Sequence, residues 1–123
     1  LKLHADPLTH LNTVTGYGPG FIEINALRHS GSLLVAPDVP VERWSANAFE
    51  TLSAEDFATV LLLKPELVLL GTGVRQRFPH PRLTRPLADA RIGIEVMNTA
   101  AACRTYNILM SEGRRVVAAF LQD

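Results

Sequence analysis

Two short segments carry the residue types best suited to meet a ligand. Gly71-Thr72-Gly73 follows the apolar run Leu67-Val68-Leu69-Leu70, and Asn98-Thr99 follows the segment Ile92 to Met97. In an open α/β sheet, ligands sit beyond the carboxyl ends of the strands, so both segments stand where a site forms. The glycines permit close backbone approach. Asn98-Thr99 opens a helix and offers unpaired N–H groups with a partial positive charge, the chemistry of an anion site. Arg75 and Arg77 lie just after the glycines and can add charge to it. The same residues also serve a plain structural purpose, a tight turn and a helix cap.

Other reactive residue types lack the spacing that chemistry needs. The third glycine of G-x-G-x-x-G would fall at Gln76, so the dinucleotide fingerprint is absent, as is a Walker motif. His4, His10, His29 and His80 form no i, i+4 pair and have no neighbouring cysteine, so no metal site is read from them. No Gly-x-Ser-x-Gly elbow and no evident acid–base pair of carboxylates is present. Cys103 sits one turn inside the last helix, where a thiol can be acidified. Its neighbours Ala100-Ala101-Ala102 mark a tightly packed helix start instead, which favours a buried, inert thiol. No cofactor or metal follows from these residues, and no catalytic constellation is legible.

The elements that must position these residues read as one α/β domain over 1–123, with 1–11 a loose N-terminal segment. The chain has 123 residues and is 47% apolar, enough for a single core. Asn12 to Tyr17 reads as a short strand, and Gly16 to Gly20 as a break. Phe21 to Leu27 alternates as a strand, Arg28-His29-Ser30-Gly31 as a hairpin turn, and Ser32 to Ala36 as the return. Val39 to Trp44 suits a short edge strand because of Pro40. Ser53 with Asp56 forms a capping box, and Lys64-Pro65 ends that helix. Strand 67–70, helix 82–90, strand 92–97, helix 98–112 and strand 116–121 then alternate, the pattern of βαβ crossovers. The expected fold is three-layer α/β: a mixed central sheet with flanking helices plus an N-terminal β-hairpin layer.

Charge and composition narrow the function classes. Twelve Lys and Arg balance twelve Asp and Glu, which argues against a nucleic-acid binder. One cysteine excludes a disulfide scaffold and a cysteine-based zinc site. No apolar run approaches a membrane span. The opening residues, Leu1 to Pro7, resemble neither a signal peptide nor an arginine-rich presequence, which favours a bacterial cytoplasm and leaves a mitochondrial setting open. Leu1 is not a methionine, so the chain can follow a removed segment. Charge is uneven along the chain: five arginines face one aspartate from Val74 to Arg91, and six acids face two bases from Asp38 to Glu66. Opposite lobes of this kind steer a charged partner or a second copy. Trp44, Phe78 and the prolines at 79 and 81 can add an apolar contact patch.

Gly16-Tyr17-Gly18, Gly71-Thr72-Gly73-Val74-Arg75-Gln76-Arg77-Phe78, Thr99-Ala100-Ala101-Ala102-Cys103-Arg104-Thr105-Tyr106-Asn107 and Glu112-Gly113-Arg114 together resemble the domain of unknown function family 498. Its members include bacterial proteins and, in mitochondria, complex I assembly factor 3. The resemblance runs from about Thr13 to Leu121. It implies a three-layer α/β fold and action through protein contacts, and it transfers no catalytic residues. Within it, Gly16, Tyr17, Gly18, Gly71, Thr72, Gly73, Thr99, Cys103 and Asn107 are the candidate binding residues, joined by Arg75 and Asn98 from the strand-end loops. Thr99, Cys103 and Asn107 share one helical face. Two readings result. One is a non-enzymatic protein-binding or assembly module whose partner is an unidentified protein or a second copy. The other is a small-ligand or anion-binding protein, with an enzymatic role left open, acting at 71–75 and 98–99.

Overall fold

A computed structural model describes residues 10–122, so nine residues of the loose segment expected over 1–11 lie outside the described residues. The element order is β1 (Val14–Gly18), β2 (Phe21–Ile24), β3 (Leu27–Ser30), β4 (Leu33–Val35), β5 (Glu42–Arg43), α1 (Ala54–Val60), β6 (Leu67–Thr72), α2 (Pro81–Asp89), β7 (Gly93–Met97), α3 (Thr99–Ser111) and β8 (Val116–Leu121). Strands β1-β2-β3 form a small antiparallel sheet, and a five-stranded mixed sheet has the order β5-β4-β8-β6-β7. Strand β6 is parallel to both β7 and β8, whereas β8 is antiparallel to β4.

Alternation along the central strands assigns each side chain to a face. Val116, Ala118 and Phe120 of β8 and Leu69 of β6 point toward α3 and the small sheet. Val117, Ala119 and Leu121, with Val68 and Leu70, point toward Phe57 and Val60 of α1 and Leu87 of α2. Every residue of β8 is buried, as expected of a strand covered on both sides. The three-layer α/β architecture with a mixed sheet is therefore the observed one.

Several local expectations change. The turn after β2 falls at Asn25-Ala26, both with positive φ (51° and 67°), not at Arg28–Gly31. Such φ values match the twist of a two-residue hairpin turn. The Asn25 side chain supports it by accepting from the Thr13 N–H and donating to Asn12 Oδ1. The residues expected to turn are instead strand β3, and Gly31 is the corner into β4. Gly16 and Gly18 lie within β1, so the break is confined to Pro19-Gly20. The strand expected over 39–44 shortens to Glu42–Arg43. Trp44 is not part of a surface patch: it is buried, meets the Phe57 ring edge-on at 5.7 Å, and donates to Asp56 O. The Ser53–Asp56 capping box forms as its spacing predicts.

Helix α3 holds the small sheet onto the domain. The free edge of β1 has no strand partner at Val14. The Asn107 amide takes that place, accepting from Val14 N–H at 2.9 Å and donating to Val14 O at 2.8 Å. Tyr106 donates to Asn12 O, and Arg104 donates to the Tyr17 hydroxyl. Asn107→Ala removes both bonds and leaves two backbone groups of a buried residue unpaired, which costs about 2 kcal/mol. Urea titration of the variant should show that loss with an unchanged slope.

Candidate functional site

The carboxyl ends of β6, β7 and β8 meet at Thr99. Its hydroxyl donates to Leu121 O at 2.7 Å and accepts from the Gly73 N–H at 2.8 Å, while its own N–H donates to Gly73 O at 2.8 Å. One side chain thus joins the ends of three strands. Gly71 gives room beside it: a Cβ there would lie tightly, 3.0 Å from Thr99 Oγ1 and 3.1 Å from Thr99 Cα. Gly73 follows with φ +92°, which only glycine adopts without strain. Asn98 caps α3 by accepting from the Ala101 N–H at 2.8 Å. The two loops singled out from the sequence do emerge side by side.

A cleft of about 340 Å³ opens above this junction. Its floor is Gly73, Val74, Asn98, Thr99, Ala100 and Gln122; the β1–β2 turn, from Tyr17 through Phe21, forms the facing wall. The Phe21 ring lies across Gly18 so closely that a Cβ there would come within 2.6 Å of it. Pro19, Gly20, Phe21, Ala100 and Gln122 were not among the candidate residues. The Pro-Gly pair read only as a break, and nothing in one-dimensional spacing brings residue 20 to residue 99.

The remaining candidates divide by location. Gly71 and Thr72 lie buried beneath the rim. Thr72 Oγ1 donates to Arg75 O and accepts from the Arg77 N–H, so it shapes the following loop. Arg75 is exposed and does not line the cleft. Gly16 and Asn107 serve the attachment of β1. Cys103 is fully buried in the core between α3 and the sheet, and burial pushes its thiol up to about 12. Among the described residues, no group of three His, Cys, Asp or Glu side chains is placed to hold a metal ion.

Charge proves less segregated than the sequence suggests. Asp38, Glu50 and Glu66 of the acidic stretch pair with Arg115, Arg77 and Arg114, and Asp56 is a buried cap. The Arg115 guanidinium holds the Asp38 carboxyl below its ordinary range. The basic stretch keeps its surplus: Arg75, Arg82 and Arg91 make no ion pair among the described residues.

Residues 14–121 match the family described as "Protein of unknown function (DUF498/DUF598)". The chain belongs to the DUF498 family. Its relatives include a Rhodobacter capsulatus protein, 37% identical over 108 residues, covering 88% of this chain and 82% of the relative. The bovine NADH dehydrogenase [ubiquinone] 1 alpha subcomplex assembly factor 3 is 33% identical over 104 residues, covering 83% of this chain. The chain spans only 55% of that assembly factor's length. Among solved structures, a Bordetella parapertussis protein superposes with a TM-score of 0.88 at 47% identity, covering 95% of this chain and 100% of that one. A Bordetella pertussis protein described as a Mth938-like domain gives 0.84 at 41% identity, covering 100% of this chain and 93% of that one.

Two outcomes follow for this DUF498 domain. Thr99→Val should cost about 2–4 kcal/mol, because two buried backbone groups lose their partner, whereas Thr99→Ser should keep most of the stability. Chemical denaturation of both variants measures the difference. Cys103 should react with a thiol reagent only on unfolding. Its folded value lies above the ordinary 9.0, so the unfolded chain ionises first as pH rises. Stability should therefore hold below pH 9 and fall by roughly 1 kcal/mol by pH 10. Burial raises Tyr106 as well, adding to the loss at still higher pH. Comparing Cys103→Ala with the parent at pH 8 and pH 10 isolates the thiol's share.

Proposed function

We propose that the chain is a non-enzymatic docking module of the assembly-factor type, and that the strand-end cleft receives an apolar side chain of a protein partner. One observation carries this reading: the cleft is lined largely by Tyr17, Pro19, Phe21, Val74 and Ala100, while the Thr99 hydroxyl and the Gly73 N–H at its floor are bonded to each other and Gln122 Nε2 is the buried polar atom there without a partner. An anion site asks for free N–H groups at the start of α3. The N–H groups of Thr99 and Ala101, with that of the adjoining Gly73, are bonded internally, which leaves that of Ala100, and Arg75 stands outside the cleft. The assembly factors among its relatives support action through protein contacts. No helix among the described residues is long and apolar enough to cross a membrane. A bacterial cytoplasmic setting belongs to the same proposal, supported by the bacterial relative and testable by fractionation.

Photo-crosslinking tests this. A photoreactive amino acid at Val74 should give one discrete protein adduct in a lysate of the parent cell. The same group at Glu112, near the far end of α3, should give none. Adduct mass distinguishes another protein from a second copy of the chain. The reading fails if Val74 gives no adduct, or if both positions label alike. It fails equally if phosphate, a nucleotide or a carboxylate raises the melting temperature and Arg75→Ala abolishes that shift.

A further inference from the structure

The exposed side of α3 begins at the cleft. Ala100 lines the cleft, and Arg104 and Ile108 follow it at four-residue spacing, so the three share one stripe of the helix. Arg104 is tied to the cleft directly. Its guanidinium donates to the hydroxyl of Tyr17, a lining residue, at 2.6 Å. The rest of its donors have no hydrogen bond among the described residues, and no carboxylate there forms an ion pair with it. Its neighbours three and four residues away along the helix are Ala100, Ala101, Asn107 and Ile108, none of them acidic. Ile108, one turn further on, is 58% exposed. A second arginine, Arg28, lies over the Phe21 ring at 4.0 Å, but it stands opposite Glu23 across the small sheet, which offsets its charge. Arg104 is therefore the cation at the cleft wall whose charge is left unanswered. A guanidinium already held by Tyr17 gives up little side-chain entropy when a carboxylate joins it.

Resting on the docking reading above, we infer that the partner lays an extended segment along α3. An apolar side chain enters the cleft beside Ala100, a carboxylate two residues away meets Arg104, and a second apolar side chain two residues beyond covers Ile108. Spacing supports this. Four residues of helix rise about 6 Å, and two residues of extended chain span about 6.6 Å. Alternate side chains of an extended segment therefore keep step with residues 100, 104 and 108. Charge complementarity supplies the sign, since the stripe holds a cation without an acid between two apolar positions. Arginine suits the central place because its planar fork takes a carboxylate with paired donors. A protein segment fits better than an anionic membrane. Lipid-binding basic clusters use about four to eight cations, and this stripe has one.

Selection of a random twelve-residue peptide display library on the whole chain tests this. Enriched peptides should carry Asp or Glu with an aliphatic or aromatic residue two positions away on each side. Their affinity should fall about tenfold on Arg104→Glu and severalfold on Ile108→Ser, while Arg75→Glu, outside the cleft lining, should leave it unchanged. The same peptides with Lys in place of the acid should bind Arg104→Glu better than they bind the parent. That charge swap separates direct contact from a structural role at Tyr17, which no change in the peptide would restore. Ala100→Gln, which places a larger side chain in the cleft, should abolish binding. Peptides lost on Ala100→Gln but indifferent to Arg104→Glu and Ile108→Ser would overturn this path along α3 and leave the docking reading standing. Peptides indifferent to all three changes would overturn both. No enriched peptide would overturn the extended segment, with the Val74 crosslink deciding the docking reading separately. Sedimentation with phosphatidylserine-containing vesicles, lost on Arg104→Glu, would overturn the protein segment in favour of a membrane. A dimer in sedimentation that the same variant dissolves would replace the partner by a second copy.

Discussion

The hydroxyl of Thr99 is the constraint on which the arrangement depends. It sits where three parallel strands end and satisfies the Leu121 carbonyl at the end of β8 and the Gly73 amide just past β6. Both would otherwise be buried and unpaired, at a cost of about 1–3 kcal/mol each. The bond requires the first turn of α3 to lie directly on β6, and that approach leaves only tight space for a side chain at Gly71. The mutual dependence of a hydroxyl, a helix start and a glycine explains why these residue types occur together. It also explains why the strand-end loops make a firm floor: the Thr99 hydroxyl and the Gly73 N–H hold it together.

Helix α3 then carries the opposite wall. Arg104, Tyr106 and Asn107 fasten β1 and its preceding segment to the helix, and β1 leads directly into the Pro19-Gly20 turn facing Thr99. Floor and wall are positioned by one helix, so the cleft's width depends on a single rigid body. Helices α1 and α2 pack the far face of the sheet around Phe57, Val60 and Leu87 and leave the cleft side clear. The loop after β6 links the two sides, bolted through Arg77 to Glu50 and Phe49 and through Gln76 to Val96 O. The result is a surface on which Val74, Arg75 and Phe78 are exposed beside the cleft.

Sequence patterns carried the second half of the fold well. Residues 53–121 obey local rules: a capping box at Ser53, Pro65 after a helix, a continuous apolar run at 67–70, and an Asn98 cap. The first half was harder to read because its turns use unusual residues. Asn25-Ala26 places an alanine at positive φ, held by Asn25 and by Thr15 Oγ1 accepting from the Ala26 N–H, so no glycine marks the hairpin. The meeting of 71–73 with 98–99 was legible from strand order and the rule for strand ends. The facing wall was not, since it depends on how a separate sheet docks onto α3. Arg75, a candidate from its position after the glycines, is exposed outside the cleft lining, its carbonyl held by Thr72 Oγ1.

Native-state hydrogen exchange at Gly73 tests the junction most directly. Gly73 lies past the end of β6, beside exposed loop residues, yet its N–H is buried against Thr99 Oγ1. If that bond organises the strand ends, the Gly73 amide exchanges only through global unfolding, as slowly as the central amides of β6 and β8. Exchange at the fast rate of an ordinary surface loop, with β6 and β8 still protected, would contradict the account.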